Sequence, residues 1–529
     1  MTSFNTLRMG LWLILVGLFL CPLGLVVSLA LGGNQVPVLL EQGMGTAAWN
    51  SAYTTVLSSL GALVFGAVSA IVLERTNVFG ARWLRLFILS PLLVPPFIGA
   101  IAWLQLFGPR QGINSWFGQE IWNIYGADGV IVLMTLHSYP VVYLVVASAL
   151  RNIPADMEHA ARIAGASTFT AITTITIPLL RSALLSAFTL TAVANLADFG
   201  IPAILGSPTR FETLATMIYR FMDSGTVANP LQVVSTVGVV LLLLGIGAVI
   251  CDYAVSLWAN STTTDTGNTQ RYPLGSSRGV VTVLSWVVGL AVTLAPIVGL
   301  GYRSLLPAPG VPFTWENISL DNFAQTLSAP RTIEGLSNSV LLAGGAALIC
   351  GLLGWLIGIM VVRTKHWSNT LMTLVVLLPT ALPGLIIGVG WLILGRYTGL
   401  YNTRWVILGA YICAFTALVL QSVRAPLQDT PLAVEEAARI SGASRLRALL
   451  DTSGAMALPA AVSGAMLVAV TAVRELTISI LLVAPGTTTL GVQVFNLQLA
   501  GDYNQASALS LLFVLVGVAA LGLTLRENR

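Results

Sequence analysis

Charge is what this sequence has least of. Of its 529 residues only 9% are Asp, Glu, Lys or Arg and 56% are hydrophobic, whereas an ordinary soluble domain is about 25% charged. A water-soluble enzyme is thereby excluded, because apolar surface on this scale has to face lipid. Lysine is nearly absent: Lys365 is the only one, and His366 follows it. A phosphate-cradling P-loop needs Lys before Ser or Thr, so the chain holds no ATP in that way. There are three histidines and four cysteines, and Cys21, Cys251, Cys350 and Cys413 stand singly in or at the end of apolar runs without CxxC spacing. They read as packing residues, and no metal site is expected. The net charge is +4, and the basic residues are scattered between apolar blocks, which speaks against nucleic acid as a partner.

What the chain does have is long apolar runs. A helix crosses a ~30 Å hydrocarbon layer with about 20 apolar residues, and twelve segments qualify: 11–31, 52–73, 86–107, 129–150, 182–205, 231–257, 280–302, 338–361, 370–394, 406–424, 460–483 and 507–525. The first is too long for the apolar region of a secretory signal and is kept as a span. With the N-terminus inside, seventeen of the 25 Arg and Lys residues fall in inner loops or termini and seven in outer loops. The excess of positive charge inside places both termini in the cytoplasm.

The chain repeats itself. Asn50-Ser51, Arg75-Thr76, Pro91, Pro95 and Trp103-Leu104 return as Asn338-Ser339, Arg363-Thr364, Pro379, Pro383 and Trp391-Leu392, all displaced by 288 positions. Further on, Pro154, Glu158, Ala160-Ala161-Arg162-Ile163 and Gly165-Ala166-Ser167 return as Pro431, Glu435, Ala437-Ala438-Arg439-Ile440 and Gly442-Ala443-Ser444 at a displacement of 277. Two six-span halves follow, 1–258 and 279–529, joined by a polar cytoplasmic linker over 259–278, and parallel repeats of this kind imply a pathway between them. The fold class is therefore an all-α membrane protein of about twelve spans in two tandem six-helix repeats.

The repeated loop after the fourth span of each half predicts a short helix standing off the membrane. Pro431 suits the first helical turn, with Thr430 or Asp429 as cap. Alanine-rich helix formers follow, and Gly442 permits the positive φ that ends the helix; Pro154 to Gly165 repeats the plan. A thin projecting helix is shaped to enter a groove on another protein. Glu158 with Arg162 and Glu435 with Arg439 have the i,i+4 spacing of solvated ion pairs, which add only about 0.3–0.5 kcal/mol each and leave the repetition unexplained. Inside the spans, Asp198 and Glu475 occupy matched positions and Arg474 adjoins Glu475. Charges at that depth are costly, and partners on other spans are expected for Arg474 and Glu475, with a structural or gating role. Gly354/Gly358 and Gly384/Gly388 have the spacing of close helix packing.

The run Glu435-Glu436-Ala437-Ala438-Arg439-Ile440-Ser441-Gly442 resembles the EAA loop of permease subunits of binding-protein-dependent ABC importers, whose type I fold the duplicated layout matches. The resemblance covers almost the whole chain, since both halves carry the loop. It implies a coupling helix in each half: Glu158, His159, Ala160, Ala161 and Gly165 in the first, Glu435, Glu436, Ala437, Ala438 and Gly442 in the second. It also implies two copies of a separate ABC ATPase subunit carrying ATP and Mg, an external solute-binding protein, and a bacterial plasma membrane as the location. No cofactor would be bound by this chain, and no enzyme activity would reside in it. Arg474-Glu475-Leu476 and Thr489-Leu490-Gly491 resemble the ferric-iron permease branch most, with thiamine, polyamine, sulfate and phosphonate permeases as close alternatives. Two departures stand out. His159 occupies the position of Glu436, and Pro178, thirteen residues after Gly165, has Ala455 as its counterpart with Pro459 a turn later, so a different setting of the second return helix is expected. A secondary transporter of the major-facilitator type is the competing class, although Glu74 to Arg85 offers only scattered matches to its motif.

Overall fold

The computed structural model describes residues 2–109, 112–153, 155–223, 225, 227, 229–258 and 271–527. Most of the linker lies outside them. The described residues are helical almost throughout, with one isolated β-bridge. Nine helices among them are long and apolar enough to cross a membrane. Nine of the twelve expected segments correspond to these, for example Asn5–Leu31, Met44–Arg75, Pro330–Arg363 and Arg404–Asp429.

Two expected spans are broken. Ala81–Leu93 and Pro96–Trp116 meet at 104°, and Ser368–Thr380 and Gly384–Thr398 meet at 106°. The cause is the repeated proline pair. Pro91 and Pro379 each open a 3-10 turn, and Val94 and Leu382, each preceding a proline, are forced into extended backbone (φ −95°, ψ 125° and φ −104°, ψ 140°). The remaining segment is a shorter apolar helix, Tyr503–Gly517.

The chain packs as two compact units that do not coincide with the sequence halves. One comprises the described residues of Met1–Met44, Met217–Leu242 and Leu327–Asn496; the other comprises those of Gly45–Thr216, Leu243–Thr326 and Leu497–Arg529. Each half's opening span is thus lent to the other half's core. Leu11, Leu15 and Phe19 are buried with Leu342, Met360, Tyr411 and Leu420. In the other unit Val292 is buried with Leu84, Ile88 and Val146, and Trp286 meets Phe87 edge-on at 5.7 Å.

The centre of the first unit is Pro330–Arg363 against Arg404–Asp429 and Ala455–Val473. Gly354 and Gly358 make that contact possible, since a Cβ at either would lie 2.6 Å from Val419 Cβ or 2.5 Å from Val423 Cγ2. Gly66, the counterpart of Gly354, meets Val142 at 2.6 Å in the same way in the second unit. The repeated Asn-Ser dipeptide also has a use. Asn50 Nδ2 donates to the Glu212 carbonyl (2.8 Å) and Ser51 Oγ accepts from Leu214 N (2.8 Å). Asn338 Nδ2 likewise donates to the Thr488 carbonyl (2.9 Å) and Ser339 Oγ accepts from Leu490 N (2.8 Å). In each unit the dipeptide fixes the start of a distant helix, Leu214–Asp223 or Leu490–Leu499, whose first N–H groups have no partner within it.

Candidate functional site

Each repeated loop folds as a nine-residue helix, Ala155–Ile163 in the first and Leu432–Ile440 in the second. Gly165 (φ +91°) and Gly442 (φ +93°) end them in the left-handed region. Ala166 N and Ala443 N then reach back to the carbonyls of Ala161 (3.0 Å) and Ala438 (3.1 Å), the long-range bond that closes a helix of this kind. The N-terminal end differs from expectation. Pro431 is the cap residue itself (φ −62°, ψ 138°) and makes no side-chain capping bond, while Thr430 Oγ1 donates backwards to Pro426 O at 2.8 Å. Pro154 lies outside the described residues.

The two helices present a matched apolar tip, with Ile163 88% and Ile440 87% exposed. Ala160, Ala437 and Glu436 are also exposed, whereas Ala161 and Ala438 are half-buried. The side chain of His159 lies outside the described residues.

Glu158 and Glu435 turn the other way. In place of i,i+4 partners they take arginines from the long helices behind them, Arg75 and Arg363. Arg363 Nη2 lies 2.5 Å from Glu435 Oε1, Arg363 Nη1 donates to the carbonyls of Leu427 (3.0 Å) and Thr430 (2.9 Å), and Ser453 Oγ donates to Glu435. In the first loop Arg75 Nη1 lies 3.5 Å from Glu158 Oε2, Arg75 Nη2 donates to the carbonyls of Leu150 (3.0 Å) and Ile153 (3.2 Å), and Thr176 Oγ1 donates to Glu158 (2.6 Å). Every member of one anchor is the repeat counterpart of a member of the other. The planar guanidinium fork suits this task, joining a carboxylate on the loop helix to the carbonyls that end the preceding span. Thr176 and Ser453 are presented by π-helical turns, Ile172–Thr176 and Leu450–Gly454. The two return helices thus share this turn whether or not a proline follows it. Sequence reading passed over the roles of Arg75, Arg363, Thr176 and Ser453, although the repetition of Arg75-Thr76 as Arg363-Thr364 carried the signal for the arginines.

The intramembrane charges sit at helix ends. Asp198 follows Ile177–Ala197, and its Oδ1 accepts from Gly200 N (2.8 Å), at the start of Gly200–Leu205. Glu475 follows Ala455–Val473. It accepts from Ile478 N (2.8 Å), Ser479 N (3.1 Å) and Ser479 Oγ (3.1 Å), and Ser479 Oγ in turn lies 2.6 Å from the Tyr411 hydroxyl. Both carboxylates therefore neutralise their burial with N–H groups at the open end of the next short helix, where the backbone carries partial positive charge. The partners expected on other spans reduce, for Glu475, to Tyr411 reached through Ser479. Arg474 caps the preceding helix, and its Nε is buried without a hydrogen-bond partner among the described residues. Among the described residues no group of three or more His, Cys, Asp or Glu side chains converges as a metal site.

The profile of the family described as binding-protein-dependent transport system inner membrane component matches residues 62–260 and again 350–526. A ferric transport system permease protein FbpB of Actinobacillus pleuropneumoniae is 24% identical over 92% of this chain and 72% of its own length. The Fe(3+)-transport system permease protein FbpB 2 of Haemophilus influenzae is 24% identical over 96% and 95%. The molybdenum transport system permease protein ModB of Mycobacterium tuberculosis is 30% identical, over 38% of this chain and 78% of its own. With the family matched once in each half of a polytopic, all-helical chain, this protein belongs to the binding-protein-dependent transport system inner membrane components.

Proposed function

We propose that the chain is the permease of an ATP-driven importer for ferric iron, receiving cargo from an external solute-binding protein and passing it to the cytoplasm. One observation carries the importer reading: the two loop helices are anchored by the same Arg–Glu arrangement and offer the same exposed apolar tip. A helix held rigidly at its base and bare at its tip is suited to transmit motion from a partner's groove. Because the chain lacks a P-loop, hydrolysis falls to separate ATPase subunits, one under each helix and two in all, which carry ATP and Mg. The loops then face the cytoplasm, as do both termini, in a bacterial plasma membrane. The family assignment replaces the secondary-transporter alternative.

The iron reading rests on relatives named for ferric transport that match 92% and 96% of this chain. Relatives named for molybdenum transport match about two-fifths of the chain. The test is to reconstitute the permease with its ATPase and the binding protein encoded beside it, then to measure uptake and ATP hydrolysis with ferric iron and with molybdate. Ferric uptake that requires all three components is expected. Uptake of molybdate alone would overturn the cargo, and uptake by the permease without ATP would overturn the importer.

A further inference from the structure

Resting on the reading of the two loop helices as ATPase contacts, we propose that Tyr272, in the C-terminal part of the linker, is a positioning residue for the first helix alone. Its backbone pairs with the end of the long helix behind the anchor. Tyr272 N donates to Arg75 O (2.7 Å) and Asn77 N donates to Tyr272 O (3.2 Å), which pairs Tyr272 with Thr76 in a parallel bridge. The segment is fastened further by Leu274 N to Asn77 Oδ1 (3.0 Å) and by Arg278 Nε to Asn77 O (2.9 Å).

The side chain, only 3% exposed, lies by Glu158 and Arg162 of the loop helix. Arg162 sits over the ring at 5.8 Å from its centroid, within the reach of a cation–π contact. The hydroxyl is buried beside the Glu158 carboxylate. Burial, with the Glu158 carboxylate adding to it, pushes this hydroxyl well above the usual phenol range, so it stays neutral. The contact therefore works through packing and dipole, with no change of charge.

The need for such a clamp is visible in the anchor itself. Arg75 Nε, Arg75 Nη1 and Glu158 Oε2 are all buried without a hydrogen-bond partner among the described residues. A pair that loosely bonded is held by what surrounds it. In the other loop the corresponding threonine, Thr364, accepts from Arg8 Nη2 (2.8 Å) and Asn369 Nδ2 (3.3 Å), and the Arg363–Glu435 pair closes at 2.5 Å.

The experiment places a photo-reactive residue at position 163 or 440 of the full permease, assembles it with its ATPase, and measures cross-linking to that ATPase. Tyr272→Ala should lower the yield from position 163 at least about fivefold, the low end of ordinary site-to-site couplings, and leave the yield from 440 unchanged. Tyr272→Phe, which keeps the ring and the backbone pairing, should restore most of it. Arg162→Ala, at an exposed position where folding is not at stake, should lower the 163 yield in the same direction. Undiminished cross-linking from 163 in Tyr272→Ala overturns the proposal, as does an equal loss at both positions or a failure of Phe to rescue. Absence of cross-links from both positions in the unaltered protein would instead overturn the ATPase-contact reading.

Discussion

The two anchors are built from equivalent residues and differ in how burial trades against contact. In the second loop the pair is close (2.5 Å), and Glu435 keeps 14% of its side chain exposed. In the first, the pair is 3.5 Å apart, with side-chain exposures of 1% for Arg75 and 3% for Glu158. Desolvating two charges is expensive, and only close, fully bonded geometry returns that cost. The first anchor is thus the deeper and the less self-sufficient of the two. Equivalent sequence therefore does not mean equivalent mechanics, and the loop helix with His159 in the place of Glu436 is also the one with the looser base.

The sharpest way to break this comparison is to remove one charge from each pair. Arg75→Met should destabilise the protein by about 3–5 kcal/mol, the usual penalty for stranding a buried charge. Arg363→Met should cost less, because Glu435 can reach water. Adding Glu158→Gln to Arg75→Met should recover part of the loss, because no charge is then left unpaired. Thermal unfolding of the detergent-purified variants reads all three. Equal losses for Arg75→Met and Arg363→Met would show that depth does not govern the anchors.

Smaller effects are expected at the helix breaks. Glu475→Ala removes three hydrogen bonds to a carboxylate and Asp198→Ala removes one. The first should cost about 1.5–3 kcal/mol or more and the second should fall at or below that range. The same unfolding measurement decides the order, and a larger loss from Asp198→Ala would show that neighbours other than these N–H groups hold the carboxylates.

Below these come the glycines. Gly165→Val and Gly442→Val each force a β-branched residue into positive φ, at about 1–2 kcal/mol or somewhat more, and no atom lies near enough to add a clash. The expected outcome is normal abundance with transport lost in both. Wild-type uptake in Gly442→Val would remove the second loop helix from the mechanism.

Composition and spacing made the duplicated span architecture legible, because apolar length and repetition are properties of the chain itself. The loop helices were legible too, since helix formers followed by a lone glycine act locally. What sequence concealed is what depends on neighbours far along the chain. The proline pairs were in plain view, yet apolar length ran through them, and only the extended backbone at Val94 and Leu382 shows that they break their spans. The arginine partners of Glu158 and Glu435 lie 83 and 72 residues earlier, so local spacing favoured Arg162 and Arg439. Asp198 and Glu475 were singled out as charges within spans, but a carboxylate accepting backbone N–H groups leaves no complementary residue to find in a sequence. The exchange of opening spans between the compact units has no local signature at all.

The smallest effect on stability, and the finest test of the comparison, belongs to the surface of the helices. Glu436 is exposed and forms none of the anchor contacts, so Glu436→Ala should leave abundance and unfolding temperature unchanged. If a basic groove of the ATPase receives this helix, the carboxylate makes a charge-assisted bond there that a neutral imidazole replaces only in part. Glu436→Ala should then uncouple ATP hydrolysis from uptake more than His159→Ala does. The reciprocal change, His159→Glu, separates the base from the tip. Stronger coupling in that variant would mean that the first helix is limited by its contact residue. Unchanged coupling would locate the limit in the looser anchor at Arg75 and Glu158, because a better grip at the tip gains nothing when the helix yields at its base.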